Sequence, residues 1–213
     1  MTIDIVNIDT DILLWINSMH TSLLDTFMWN VSSKYIWIPM YLLMVALLAK
    51  RYGWRCLWML LAIGVAFGLS DYISHLLKHI VCRPRPTHEE SLADLIYIVN
   101  DYRGGKYGFP SSHAADTMSL ALLFSLIWRD WRTTLTLMLW VTANCLSRMY
   151  LGVHYPGDIV CGLLLGATFA LGAYWVLRAC KVTKKSETKI SPHWLEYALP
   201  AIFFVTLIFS FIV

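Results

Sequence analysis

Between Gly157 and Leu177 the chain carries one charged residue, Asp158, and otherwise runs through aliphatic, aromatic and small side chains. About 20 apolar residues in a helix cross the hydrocarbon core of a bilayer. Inside lipid every backbone N–H and C=O must bond internally, so such a run folds as a helix and several make a helical bundle. Five further runs qualify or nearly do: Tyr35–Ala49, Trp54–Leu77, Ala114–Trp128, Thr133–Tyr150 and Trp194–Val213. The first, third and fourth of these are short and need interfacial residues to complete a crossing. With 58% hydrophobic and 15% charged residues in 213, the composition lies far from that of a soluble globular protein. The predicted fold class is all-α: a polytopic transmembrane helical bundle of about six spans, one domain over residues 1–213.

Residues 1–33 precede the first span. Ile12, Ile16, Met19, Leu23 and Phe27 recur at helical spacing within Asp11–Met28, which predicts an N-terminal amphipathic interfacial helix. The first basic residue is Lys34, so the positive start of a secretory signal is missing, and Asp4, Asp9 and Asp11 stand there instead. Residues 87–109 form the one sizeable loop. Its apolar Leu95–Asn100 and the turn signal Arg103-Gly104-Gly105-Lys106 predict a short helix or hairpin lid. Gly64-x3-Gly68 and Gly162-x3-Gly166 predict close helix packing. Trp37, Trp54, Trp128, Trp131 and Trp194 fall near span ends, as an aromatic belt would place them. The five cysteines are scattered, without a CxxC pair, and read mostly as buried small hydrophobes.

Lys and Arg favour the cytoplasmic side. With six spans, ten of the 17 fall on one face: Lys50, Arg51, Arg55, Arg129, Arg132, Arg178, Lys181, Lys184, Lys185 and Lys189. The other seven are Lys34, Lys78, Arg83, Arg85, Arg103, Lys106 and Arg148. The first face is therefore predicted cytoplasmic, with both termini and the 87–109 loop outside. Three polar segments reach the outer face: KHIVCRPRP, PSSHAAD and SRMYLGVHYPGD, within residues 78–158. Ionisable residues at membrane depth are expensive, so their convergence on one surface points to a site.

Together these segments offer the cations Lys78, Arg83, Arg85 and Arg148, the histidines His113 and His154, and the carboxylate Asp158 four residues after His154. Guanidinium groups grip phosphate through paired donors, Lys acts as a point charge, and a helix N-terminus after Pro110-Ser111-Ser112 adds backbone N–H groups. Such a pocket suits a phosphoryl group. Two histidines can divide phosphoryl transfer, one attacking phosphorus as neutral imidazole and the other protonating the leaving oxygen. Asp158 can hold the second ring nitrogen of His154, with Pro156 opening the helix between them. Arg83 is open between a loop salt bridge and a part in phosphate binding. His75 and His79, one turn apart, could suit a metal, but Lys78 on the same face would repel it, and interfacial hydrogen bonding is favoured. His20, His88 and His193 read as solvated.

The three segments resemble the type 2 phosphatidic acid phosphatase (PAP2) superfamily, whose signature is K-x6-R-P, then P-S-G-H, then S-R-x5-H-x3-D. Lys78 through Arg85-Pro86 matches the first motif and Ser147-Arg148 through His154 and Asp158 the third. The second is PSSH, with Ser112 where the family has Gly. A positive φ there would cost Ser about 1 kcal/mol that Gly avoids. The resemblance implies that His154 is the nucleophile forming a phosphohistidine, His113 the general acid and then base, and Asp158 the partner of His154. It implies Lys78, Arg85 and Arg148 as phosphate ligands, with Ser111 and the backbone at Ser112 completing the cradle, and neither a metal nor another cofactor. The implied partners are a membrane lipid phosphate and the bilayer, with no nucleic acid. The small chain and simple loops suggest a bacterial inner-membrane protein with its site facing the periplasm. Candidate substrates are undecaprenyl diphosphate, a lipid A phosphate, phosphatidylglycerophosphate or phosphatidic acid. A phosphotransferase using the same phosphohistidine, or a non-catalytic lipid-phosphate transporter, is the alternative.

Overall fold

The computed structural model describes residues 5–183 and 193–212. The charges expected of Lys184, Lys185, Lys189 and Asp4, and the side chain of His193, lie outside the described residues. Helices form at all six apolar runs: α3 (Ile38–Tyr52), α4 (Cys56–Val81), α5 (Ser112–Trp128), α6 (Trp131–Tyr150), α7 (Pro156–Ala179) and α8 (His193–Ile212), after α1 (Ile5–Asn17) and α2 (Ser22–Ser32). The boundaries have local causes. Gly53 at φ 58° closes α3, and left-handed Arg129 closes α5 by donating its N–H to Ser125. The Asp130 carboxylate then caps α6 through the Thr133 N–H at 2.9 Å. Pro156, whose missing N–H is no loss in a first turn, opens α7.

Tyr35–Val81, which holds α3 and α4, and Pro156–Ala179 are long and apolar enough to cross a membrane, and Glu196–Phe211 is a shorter apolar helix. Around an apolar core, the helix surface is apolar too and part of the interior is polar. Leu42, Leu57, Leu61, Leu139 and Leu164 are exposed, whereas Ser70, Ser74, Asp116, Asn144 and Ser147 are buried. Helix α5 is central, packed on α4, α6 and most closely α7. Gly162 and Gly166 set that last contact: an added Cβ would fall 2.4 Å from the Ser111 carbonyl oxygen and 2.1 Å from that of Ala115. The second small-residue pattern thus packs helices as expected. The first does not, because Gly64 and Gly68 face open space.

The predicted single N-terminal amphipathic helix is two helices, because the chain breaks after Asn17 and Thr21 caps α2 with its side chain. The inward face of α1 carries Leu13, fully buried, while Ile12 and Met19 are exposed. Buried Asn17 fixes the break, donating to the carbonyls of Tyr97 (2.9 Å) and Tyr150 (2.8 Å) and accepting the Tyr97 N–H (2.8 Å). The 87–109 loop is therefore a strap held against the bundle, built from short 3-10 turns. Its ends are joined by one antiparallel bridge between Pro84 and Tyr107. His20 and His88 are exposed, as expected, and the His20 ring also stacks on Tyr97 at 4.0 Å. His88 reaches the Gly104 carbonyl at 3.3 Å. Trp54, Trp131 and Trp194 are exposed as a belt requires, but Trp37 and Trp128 are core residues. Trp37 donates to the Val31 carbonyl, and Trp128 lies between Phe124 and the Arg51 guanidinium. Of the cysteines only Cys56 and Cys145 are buried.

Candidate active site

The end of α4, the start of α5, the end of α6 and the start of α7 meet at one end of the bundle, and the three polar segments meet with them. Arg51, Arg129 and Arg178 lie at the other end, where Arg129 and Arg178 line a cavity of about 220 Å³.

His154 lies in the turn between α6 and α7 and is fully buried. Its Nδ1 sits 3.4 Å from Asp158 Oδ2, one helical turn on. That is looser than an ordinary hydrogen bond. Its Nε2 faces the Arg85 Nη1 at 3.0 Å, and the same Nη1 donates to the Val153 carbonyl at 3.1 Å. Burial, with Arg85, Arg148 and Lys78 nearby, holds the imidazole well below its ordinary pKa. It is therefore neutral, with a free electron pair on one nitrogen. Asp158 is completely buried at the third position of α7. Its Oδ2 accepts the Tyr155 N–H at 3.1 Å and its Oδ1 accepts from Arg83 Nη1 at 2.9 Å.

Lys78, in the last turn of α4, is buried and donates to Ser74 Oγ (2.9 Å), Ser112 Oγ (2.9 Å) and the Pro110 carbonyl (2.5 Å). Ser112 opens α5 in helical conformation and is not among the residues with positive φ. The strain foreseen for a Ser here does not arise, and its hydroxyl gives Lys78 a partner that Gly could not. Ser111 is the N-cap of α5, its Oγ accepting the Ala114 N–H at 3.4 Å. Its N–H donates to the Asp158 carbonyl at 2.9 Å, which ties α5 to α7 at the site. His113 follows in the first turn of α5 and borders a cavity of about 300 Å³ that runs past Asp116 and Thr117 to Leu120 and out to Phe67 and Trp140.

Arg148 is buried in the last turn of α6. It donates to Ser32 Oγ at the end of α2 and to the Tyr102 hydroxyl at 3.2 Å. Burial pushes the Tyr102 phenol up, but Arg148, which also bonds it, and Arg85 outweigh this and hold it below its ordinary value. Neither Ser32 nor Tyr102 is conspicuous in the sequence; both come from segments distant along the chain. Arg83, left open between two readings, makes ion pairs with Asp158 and Asp9. His75 and His79 contact each other edge to face, and no group of three or more His, Cys, Asp or Glu is placed to hold a metal among the described residues.

Lys78, Arg85 and Arg148 are buried or half-buried, and none pairs with a carboxylate among the described residues. Buried cations without a counter-ion make an anion site. Set around a neutral imidazole, with a second histidine at a helix N-terminus, they define a phosphoryl-handling enzyme of the membrane.

Known proteins agree with this class. The PAP2 superfamily profile matches residues 57–181. A lipid A 4'-phosphatase of Bacteroides thetaiotaomicron is 36% identical over 187 residues, covering 86% of this chain and 83% of that protein. A lipid A 4'-phosphatase of Porphyromonas gingivalis is 33% identical, covering 76% of this chain and 70% of that one. The fold is similar to the crystal structure of a transmembrane PAP2-type phosphatidylglycerolphosphate phosphatase from Bacillus subtilis, at a TM-score of 0.63 and 18% identity over 88% of this chain and 90% of that one. The chain belongs to the PAP2 superfamily: it is an integral membrane phosphatase.

Proposed function

We propose that this protein hydrolyses a lipid phosphomonoester on the periplasmic side of a bacterial inner membrane, through a phosphohistidine at His154 and without a metal. The observation that carries the reading is the set of unpaired buried cations around the neutral His154 ring. In this reading Nε2 attacks phosphorus, since Nδ1 faces Asp158. The arriving phosphoryl oxygens draw Arg85 off Nε2 and take donors from Arg85, Arg148 and Lys78. Burial and Arg148 hold His113 well below its ordinary pKa; the negative charge of the arriving phosphate offsets Arg148 and lets His113 take up a proton, which it delivers to the lipid oxygen as the bond from phosphorus to that oxygen breaks. His113 then removes a proton from water, which attacks phosphorus and frees His154. Ser111 and the first N–H groups of α5 complete the cradle. The cavity beside His113 lies where the leaving alcohol would be, and its Phe67, Leu120 and Trp140 walls suit the lipid portion.

The names of the two relatives that cover most of the chain favour a lipid A phosphate over undecaprenyl diphosphate, phosphatidylglycerophosphate or phosphatidic acid. The test is inorganic phosphate release from a panel of these four by the purified protein in detergent, with and without EDTA. Lipid A phosphate should be cleaved fastest, at a rate EDTA leaves unchanged, because the site is built of cations. Activity lost in EDTA and restored by one added metal would overturn the metal-independent reading. Phosphate moved to an acceptor lipid and not to water would overturn hydrolysis.

The six-span reading, with the site outside, predicts the labelling of introduced cysteines. Ser91 is exposed in the strap. In a background lacking Cys82 and Cys180, Ser91→Cys should react with an impermeant thiol reagent in intact spheroplasts. Labelling only after lysis would invert the topology and move the substrate to the inner leaflet.

A further inference from the structure

Asp158 is fully buried, yet the turn it belongs to supplies only one backbone donor, the Tyr155 N–H. A buried carboxylate needs more than that. The rest comes from Arg83, which lies between α4 and the strap, at one of the variable positions inside K-x6-R-P, two residues before Arg85. One end of its guanidinium donates to Asp158 Oδ1 at 2.9 Å, and the other donates to Asp9 Oδ2 at 2.7 Å. Its Cζ lies 4.0 Å from the centre of the Tyr155 ring. Its backbone carbonyl accepts the Gly108 N–H at 3.0 Å, and a Cβ on Gly108 would come 3.0 Å from Asp158 Oδ2. Asp9 is held in turn: its Oδ1 accepts the Gly157 N–H, in the first turn of α7, at 2.7 Å. A carboxylate there is favoured by the helix dipole as well as by the bond.

We infer that Arg83 and Asp9 are positioning residues that act through Asp158: a chain Asp9–Arg83–Asp158 orients the carboxylate that faces His154, and so brings α1, which lies outside the matched superfamily segment, into the control of turnover. The inference rests on the proposed pairing of His154 with Asp158. Arg83 is not a further phosphate ligand, because both Nη atoms already donate to carboxylates and an aromatic ring covers its face. It fixes Oδ1, which leaves Oδ2 as the atom turned to His154 Nδ1. Asp9 fixes Arg83 and also the helix start that carries Asp158.

A double-mutant cycle in the full-length protein tests this, with kcat and KM measured on one lipid phosphate and detergent-phase thermal unfolding as a control on folding. Arg83→Gln should lower kcat by about 10- to 100-fold, the range for groups that orient a reacting side chain, with KM changed less than about threefold. Arg83→Lys should recover part of the loss, and Asp9→Asn should lower kcat less than Arg83→Gln does. In an Asp158→Asn background the added cost of Arg83→Gln should fall below about threefold, because residues acting as a unit are not additive. A raised KM with kcat kept would make Arg83 a phosphate ligand and overturn the inference. Full additivity with Asp158→Asn would also overturn it, as would a kcat loss that tracks the melting temperature in Arg83→Lys and Asp9→Asn. If Asp158→Asn alone keeps wild-type turnover, the His154–Asp158 pairing itself fails; if it loses turnover while Arg83→Gln does not, the pairing stands and only the positioning role falls.

Discussion

His154→Ala should lose turnover on every lipid phosphate by at least roughly a thousandfold, with the helical bundle intact. The size follows from what would be removed. On the proposed route a ring nitrogen of His154 bonds to phosphorus, and the other imidazole of the site, His113 in the first turn of α5, borders the cavity that the route assigns to the leaving group. No second nucleophile stands in its place: Ser111 Oγ is committed to the α5 cap, and Ser112 Oγ to Lys78 and Ser74. His154→Gln is the more demanding variant, since it keeps a hydrogen-bonding group near Arg85 and should be just as inactive. Phosphate release in detergent, with thermal unfolding measured alongside, reads the result. Either variant within tenfold of wild type would remove His154 as nucleophile.

Much of this site is legible in the sequence for one physical reason. Charged residues in a membrane bundle are few and costly, so Lys78, Arg85, Arg148 and Asp158 stand out against an apolar background that gives them no routine purpose. The six-span reading predicts that their segments converge, and the ends of α4, α5, α6 and α7 that carry them do meet. What escapes notice is whatever reaches the site from outside that background. Ser32 and Tyr102 contact Arg148 from the end of α2 and from the strap, through contacts that no local pattern encodes. Asp9 stands out in the sequence only as an acidic residue where a signal peptide would be basic, yet it holds Arg83.

The fold divides along similar lines. Apolar runs mark the positions of α3 to α8, and wherever such a run crosses lipid a helix is what satisfies its backbone. The N-terminal segment failed as a single helix because 3–4 spacing describes a face but not where a chain breaks. The break at Ser18–Thr21 exists to let buried Asn17 bond the strap and the end of α6, a tertiary demand. Trp37 and Trp128 are core residues and not belt residues for a related reason: nearness to a span end does not fix which way a ring points. The Ser at position 112 looked like a defect against the motif. It instead supplies the hydroxyl that Lys78 bonds.

His113→Ala should separate two kinds of substrate by how much their leaving groups need a proton. The proposed role of His113 is to protonate the departing lipid oxygen, an alkoxide that leaves poorly without a proton. Its loss should slow lipid phosphate hydrolysis by roughly 10²- to 10⁴-fold. An aryl phosphate such as p-nitrophenyl phosphate releases a stable phenolate that needs no proton, so its first step should survive in His113→Ala. The second step should not, because water then lacks its base. The variant should therefore give a burst of p-nitrophenolate, close to one per active protein, followed by slow turnover. Phosphate label should stay on the protein, stable to alkali and lost in acid as a phosphorus–nitrogen bond requires. The burst and the label should both vanish in the His113→Ala, His154→Ala double variant. Equal losses on lipid and aryl substrates, with no burst, would take the leaving-group proton away from His113. Label that persists without His154 would place the covalent step on another residue.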